Sequence, residues 1–359
     1  MTALSDHKLR AVATLKRLIA IPSFSREEDK TAAVLMELLK EAGAEPRRTK
    51  NNVWALSDGF DESKPTILLN SHHDTVKPVS TWTADPFGAV EEDGKLVGLG
   101  SNDAGAALVC LMETFLYLNK ADRDYNLVFL ASAEEEVSGK DGVELALKSL
   151  PPIDLGIVGE PTEMNAAIAE KGLLVLDCTA RGQSGHAARE EGTNALYIAL
   201  EDIEKIRTLE AGRTSDLLGP VKMTVTQIQA GTQHNVVPDA CTFVVDARTN
   251  ESISNRELFD LLGKELKSEV TARSFRLNSS GIDRSHPAVK KAEAMGLKLY
   301  GSPTLSDQAL MDFDTIKMGP GKSERSHTAD EFVYLKEIEH GLDTYIAVLS
   351  DLKIKKTQR

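Results

Sequence analysis

The chain has 359 residues, with 42 Lys+Arg against 55 Asp+Glu, a formal charge of −13; that length suits about two domains. Hydrophobic residues at 41% and charged residues at 27% argue against a disordered chain, and aromatics at only 5%, with the acidic balance, against a base-stacking, phosphate-binding partner of nucleic acid. No apolar run approaches the roughly 18 residues of a membrane span.

The opening stretch reads as an amphipathic helix rather than a signal peptide. Ser5 or Asp6 caps it, and Leu9, Val12, Ala13 and Leu15 to Ile19 form its stripe. Ser25 caps a second helix, with Glu28 completing a capping box and Gly43 as its stop. Apolar runs at 66–70, 126–131 and 154–158 read as buried strands, separated by helices at 106–118 and 142–150. Alternating strands and helices predict a mainly parallel sheet flanked by helices, whose ligands sit beyond the carboxyl ends of the strands.

From about Gly172 the texture changes. Alternating strands at 173–180, 221–230, 241–248 and 269–277, with helices at 194–209 and 255–266, predict a small α+β unit. The larger pattern then resumes with helices at 287–300 and 335–352. The economical organisation is one domain of residues 1–171 and 279–359, interrupted by an inserted domain of residues 172–278. Cys110, Cys178 and Cys241 are odd in number and scattered, which suits buried thiols in a reducing compartment and a cytoplasmic location.

Five metal-ligand types sit at loop positions: His72, Asp103, Glu136, Glu160 and His327. Singly, each has a plain explanation. Asp103 would cap the helix that follows, the acidic run 134–136 would be a solvated face, and Glu160 would end a strand. Jointly, two His and three carboxylates suit a pair of zinc-like ions with one carboxylate bridging.

The ordered motifs SHHDTV (71–76), WTADPFGAVEEDGKLVGLGSNDAG (82–105), SAEEEVSG (132–139), GEPT (159–162), GQSGHAA (182–188), HNVVPD (234–239) and GPGKSERSHTADE (319–331) carry a resemblance over essentially the whole chain. The chain resembles the zinc-dependent aminoacylase and carboxypeptidase family, nearest to its acetylornithine deacetylase branch. The resemblance implies a zinc-exopeptidase-like catalytic domain, an inserted dimerisation domain, a homodimer, and two divalent ions, zinc or alternatively cobalt. It implies His72 and Glu160 on the first metal, Asp103 bridging, and Glu136 and His327 on the second. Asp74 would hold the His72 imidazole, Glu135 would be the general base, and His186 of the partner subunit would stabilise the oxyanion. Asn235 and Arg248 would contact the substrate, a small N-acyl amino acid, the alternative for Arg248 being a strand-end ion pair.

The implied reaction is hydrolysis of N-acetylornithine to ornithine and acetate in arginine biosynthesis. The alternatives are N-succinylornithine, N-acetyl-lysine or succinyl-diaminopimelate, a dipeptide, or a metal-free binding role on the same fold. Neither nucleic acid nor membrane is expected as a partner. The sequence departs from the family's pattern at Leu99, at Ala104-Gly105 and at Glu134, where the family has Asp. Lys322 and Arg325 either meet a second substrate carboxylate or form a solvated basic loop.

Overall fold

The computed structural model describes residues 3–189 and 191–357. Helices α1 (Ala3–Ile19) and α2 (Asp29–Glu41) lead into strands β1 (Pro46–Thr49), β2 (Asn52–Leu56), β3 (Thr66–His72), β4 (Val90–Glu92) and β5 (Lys95–Val97). Then come α3 (Ala106–Leu118), β6 (Asn126–Ser132), α4 (Val143–Leu147), β7 (Leu155–Gly159), β8 (Ala166–Glu170) and β9 (Leu174–Arg181). Next are α5 (Ala195–Thr208), β10 (Lys222–Ala230), β11 (Ala240–Arg248), α6 (Asn255–Glu265), β12 (Glu269–Ala272) and β13 (Ser280–Gly281). The chain closes with α7 (Pro287–Ala294), β14 (Leu299–Ser302), β15 (Thr315–Met318), β16 (Phe332–Tyr334) and α8 (Leu335–Leu349).

Two compact units result: unit 1 is Met1–Ile168, Ile282–Tyr300 and Ser306–Arg359, and unit 2 is Ala169–Gly281 and Gly301–Leu305. In unit 1 the sheet runs β1-β2-β6-β3-β7-β15-β8. Its centre is parallel, β3 pairing with β6 and β7, and β7 with β15; β1, β2 and β8 are antiparallel to their neighbours. Apolar runs were legible as strands because both faces are buried. Ile67, Leu69, Leu127, Phe129, Leu155 and Ile157 join the core with α1, α3 and α8, while Leu68, Val128, Leu130 and Val158 join Val143 and Ala146 of α4. Parallel pairing puts the carboxyl ends of β3, β6, β7 and β15 on one edge, His72 opposite Ser132 and Gly159 opposite Met318.

Unit 2 has an antiparallel sheet, β10-β11-β9-β12, covered on one face by α5 and α6 through Leu174, Leu176, Phe243, Val245, Ala199 and Leu258. Asn194 caps α5, and Ser254 with Glu257 forms a capping box on α6. β10 is an edge strand.

Several expectations are corrected. Helix α1 already spans Asp6, which complements the helix dipole in the first turn instead of capping. Ser25 and Glu28 form no capping box, because their polar atoms are engaged elsewhere. Ser25 Oγ donates to Asp74 (2.7 Å), and Glu28 accepts from the Arg26 and Glu134 N–H groups (2.6 and 3.2 Å) and from Asn51 (2.7 Å). The helix expected through 300 stops at Ala294, since Gly296 turns left-handed (φ 78°) and the next apolar residues form β14. The strand at 269 ends at Ala272, and the helix after residue 142 ends at Leu147. The three cysteines are free and buried. Among the described residues no helix is long and apolar enough to cross a membrane.

Candidate active site

Four loops leave the common sheet edge, and each brings one or more of the expected groups. His72 is the last residue of β3 and is 1% exposed. Glu135 and Glu136 open the turn that follows β6, and Glu160 follows β7 directly. Asp103 lies in the turn Ser101–Gly105 before α3, and His327 lies in the loop after β15, in a left-handed conformation (φ 59°). The Glu160 and His327 loops are laced together. Thr162 N–H donates to the Gly319 carbonyl (3.1 Å) and Gly319 N–H to Thr162 Oγ1 (3.0 Å). Gly319 and Gly321 are required here: a Cβ on Gly319 would overlap the Glu160 carbonyl, and Gly321 has φ 89°.

The five candidate ligands converge in two groups, His72–Asp103–Glu160 and Asp103–Glu136–His327, with donor atoms in each group within 4.8 Å of one another. His72 Nε2 lies 3.2 Å from Asp103 Oδ1 and 3.9 Å from Glu160 Oε1. His327 Nε2 lies 2.9 Å from Glu136 Oε2 and 3.6 Å from Asp103 Oδ2. Asp103 thus serves both groups, one oxygen toward each. Glu135 belongs to neither.

Asp74 organises the adjoining turn. Its backbone carbonyl lies 3.0 Å from His72 Nδ1 and its carboxylate 3.4 Å. The carboxylate also accepts the N–H groups of Glu135 (3.1 Å) and Glu136 (3.3 Å). One buried acid therefore fixes both the imidazole and the backbone carrying Glu135.

Crowding this many carboxylates shifts their proton affinities. Burial, with the charges of Glu160, Asp307 and Glu136, holds Glu135 well above the usual carboxylate range, against the pull of His72. Burial and the Asp103 charge raise Glu160 to about 8. Burial alone would lower His72, but its contacts with Asp103 and Asp74 outweigh that and raise it. The Glu136 hydrogen bond lifts His327 to about 9. Burial would raise Asp103, yet His72, Ser326 and His327 hold it below its ordinary value. Mixed imidazole and carboxylate donors in two groups sharing one aspartate fit a pair of zinc-like cations, whose charge would relieve this crowding.

Two participants carried no signal that sequence reasoning used. Asp307, buried in the segment after β14, accepts from Ser132 Oγ (2.6 Å) and Asn70 Nδ2 (2.9 Å), tying together the ends of β6 and β3; burial raises it to about 6. Glu331, four residues after His327, accepts three backbone N–H groups of the Asp103 turn. Burial and the Asp103 charge push it to about 8, against those three donors. The only available cue was its place in the GPGKSERSHTADE run.

In unit 2, His186 and Asn235 are brought together. Ala187 N–H donates to the Asn235 carbonyl (3.0 Å), and His186 bridges Val236. His186 Nδ1 accepts the Ala188 N–H (3.1 Å), which puts the proton of the neutral ring on Nε2. Arg248 is not with them. It ends β11, whose other end adjoins the Asn235 loop, eight strand intervals or roughly 26 Å away. It forms a bidentate pair with Asp246 (2.8 and 3.1 Å). Arg325 pairs with Glu337 (2.7 and 3.1 Å) and lies over Phe332 and Tyr334, while Lys322 pairs with Glu163.

Arg325 therefore reads as a fold-stabilising residue. Arg325→Ala is expected to cost about 1–3 kcal/mol in denaturant unfolding and to leave the preference between acetyl and succinyl substrates unaltered. A changed preference would return Arg325 to substrate binding.

Comparison with known proteins agrees with this geometry. The sequence model of peptidase family M20/M25/M40 matches residues 68–351. The acetylornithine deacetylase of Proteus mirabilis (strain HI4320) is 28% identical over 357 residues, covering 90% of this chain and 92% of that protein. The succinyl-diaminopimelate desuccinylase 2 of Ruegeria sp. (strain TM1040) is 25% identical over 285 residues, 73% and 71% of the two chains. The fold is similar to that of the YXEP protein of Bacillus subtilis, described as a dinuclear metal-binding peptidase (TM-score 0.74, 17% identity, 96% of this chain and 98% of that one). The chain therefore belongs to peptidase family M20/M25/M40 and is a metal-dependent hydrolase of amide bonds.

Proposed function

We propose that this chain removes the acetyl group from N-acetylornithine, releasing ornithine and acetate in arginine biosynthesis. Two zinc ions, or alternatively cobalt, would be held by His72, Asp103 and Glu160 and by Asp103, Glu136 and His327. The observation that carries the reading is the pair of donor groups joined through Asp103, with the Glu135 carboxylate on the adjoining turn and in neither group. When bound, such cations supply Lewis acidity toward an amide carbonyl and make water acidic near neutral pH. The Glu135 carboxylate takes the proton of the attacking water and hands it to the leaving nitrogen. Its raised proton affinity suits both halves of that task. Asp74 keeps Glu135 aimed by gripping its backbone N–H.

Unit 2 would supply recognition. With its proton on Nε2, His186 is suited to donate to an oxyanion, and Arg248, released from Asp246, to a substrate α-carboxylate. The roughly 26 Å between the two ends of β11 argues against one copy placing both on one small substrate. This supports a homodimer in which His186 and Asn235 act in the partner's site. The exposed edge strand β10, with Ile228 (49% exposed), and Tyr197 (65%) and Leu200 (49%) on α5 would be the contact. A cytoplasmic setting fits the three unbridged cysteines.

The commitments of Arg325 to Glu337 and Lys322 to Glu163 support an acetyl over a succinyl group. A panel of acetylornithine, succinylornithine, acetyl-lysine and succinyl-diaminopimelate with the zinc- or cobalt-loaded enzyme tests this. Acetylornithine should lead in kcat/KM by about tenfold or more, and a lead for any other member would replace the substrate.

Loading should also be strongly pH-dependent. Glu160 (about 8), His327 (about 9) and the raised His72 all hold protons at neutral pH that a cation must displace. Binding therefore releases protons, and affinity should climb as pH rises from about 6 to about 9. Calorimetry in buffers of different ionisation enthalpy measures the released protons directly, and a pH-independent affinity would contradict the assignment.

A further inference from the structure

The turn that carries Asp103 is irregular. Gly100 is left-handed (φ 74°), and Asp103 has non-helical backbone angles (φ −116°, ψ 97°). Three N–H groups of this stretch end on one carboxylate. Glu331 Oε2 accepts Gly100 N–H (3.1 Å), and its Oε1 accepts those of Asn102 (2.7 Å) and Asp103 (2.9 Å). Glu331 is 2% exposed. Strand pairing outside the site sets its position. It directly precedes β16, whose Phe332 pairs with Val97 of β5, and its own carbonyl accepts the Gly98 N–H (3.0 Å).

The connection runs in both directions. The Asn102 side chain reaches into the loop that precedes His327. Its Oδ1 accepts Lys322 N–H (2.9 Å), and its Nδ2 donates to the Lys322 carbonyl (3.0 Å) and Ser326 Oγ (3.3 Å). The segment that presents His327 and the turn that presents Asp103 are thus fastened to each other, by Glu331 in one direction and Asn102 in the other.

We infer that Glu331 is a positioning residue for cation binding, setting the backbone from which Asp103 offers one oxygen to each donor group. The inference deepens the reading above and rests on it only in that Asp103 and His327 hold cations. A carboxyl group can do this, because both of its oxygens can accept a backbone N–H in either protonation state. Glutamine would turn one of its ends into a donor facing a backbone N–H. Aspartate is one methylene short of reaching all three amides. Buried N–H groups left without acceptors would let the turn relax and shift both Asp103 oxygens.

The test titrates the metal-free protein with cobalt(II), following visible absorption, and with zinc by calorimetry. Glu331→Gln should bind both ions about 10–100-fold more weakly, with a cobalt spectrum altered in position or intensity. Glu331→Asp, which keeps the carboxyl group, should lie between this variant and wild type, and it stands in should Glu331→Gln fail to fold. A role confined to fold stability would lower the unfolding midpoint yet leave affinity and spectrum unchanged in the folded variants. That result, beside a wild type that binds two ions, would overturn this inference alone. A wild type that takes up no cobalt would overturn the metal reading and this inference with it.

Discussion

Glu135→Gln is expected to lower kcat by about two to four orders of magnitude while the metal content stays at the wild-type level. The separation of the two readouts comes from geometry. Glu135 lies outside both donor groups, whereas its neighbour Glu136 lies 2.9 Å from His327. Its backbone N–H, held by Asp74, is untouched by the substitution. The amide keeps the size of the side chain and one acceptor, but it cannot take a proton. Replacing an acid whose proton affinity is raised by burial and by Glu160, Asp307 and Glu136 also removes one negative charge from a crowded site. Cation affinity should therefore drop only modestly, through lost long-range attraction. Steady-state kinetics on the best panel substrate, with metal analysis of the same samples, reads both quantities. A kcat within tenfold of wild type would remove Glu135 from proton transfer.

Asp103→Ala should abolish binding at both sites together. Each remaining donor serves one group: Glu160→Ala should leave the Glu136–His327 side able to hold an ion, and His327→Ala should leave the His72–Glu160 side. Asp103→Ala takes a donor from both. The loss in affinity should exceed the 10–100-fold typical of removing a mere supporting hydrogen bond. Stoichiometries of about one, one and zero for the three variants, measured after equilibrium dialysis against zinc, would distinguish a shared aspartate from two independent sites. The substitution also has a signature without metal. After burial, the Asp103 charge is the next cause of the raised Glu160 value, and the Asp103 hydrogen bond raises His72, so both values should fall. Two ions retained by Asp103→Ala would overturn the bridging role.

What could be read from the sequence follows from what each residue does. The strands β3, β6 and β7 were legible because burial on both faces makes them continuously apolar, and α3 because the sheet and α1 surround it. Once those strands were placed, His72, Glu136 and Glu160 fell at their carboxyl ends. β15 was missed: only four residues long, it carries the buried Lys317 in its centre. Ser25 and Glu28 misled because their spacing fits a capping box, while their contacts are made with Asp74 and Glu134 across the site. Asp307 and Glu331 were illegible for a related reason. They support strand ends and backbone amides distant in sequence, and such contacts impose no spacing.

The chain order of the two donor groups has a consequence for biogenesis. His72, Asp103 and Glu160 all precede unit 2, and β3, β6 and β7 are complete by Gly159. His327 lies beyond unit 2, in the loop after β15, which pairs with β7. During synthesis the first group can assemble on a nascent sheet while the second still lacks its histidine. The growing polypeptide thus gains its two donor groups in a fixed sequence, the second only after unit 2 and β15 have been made.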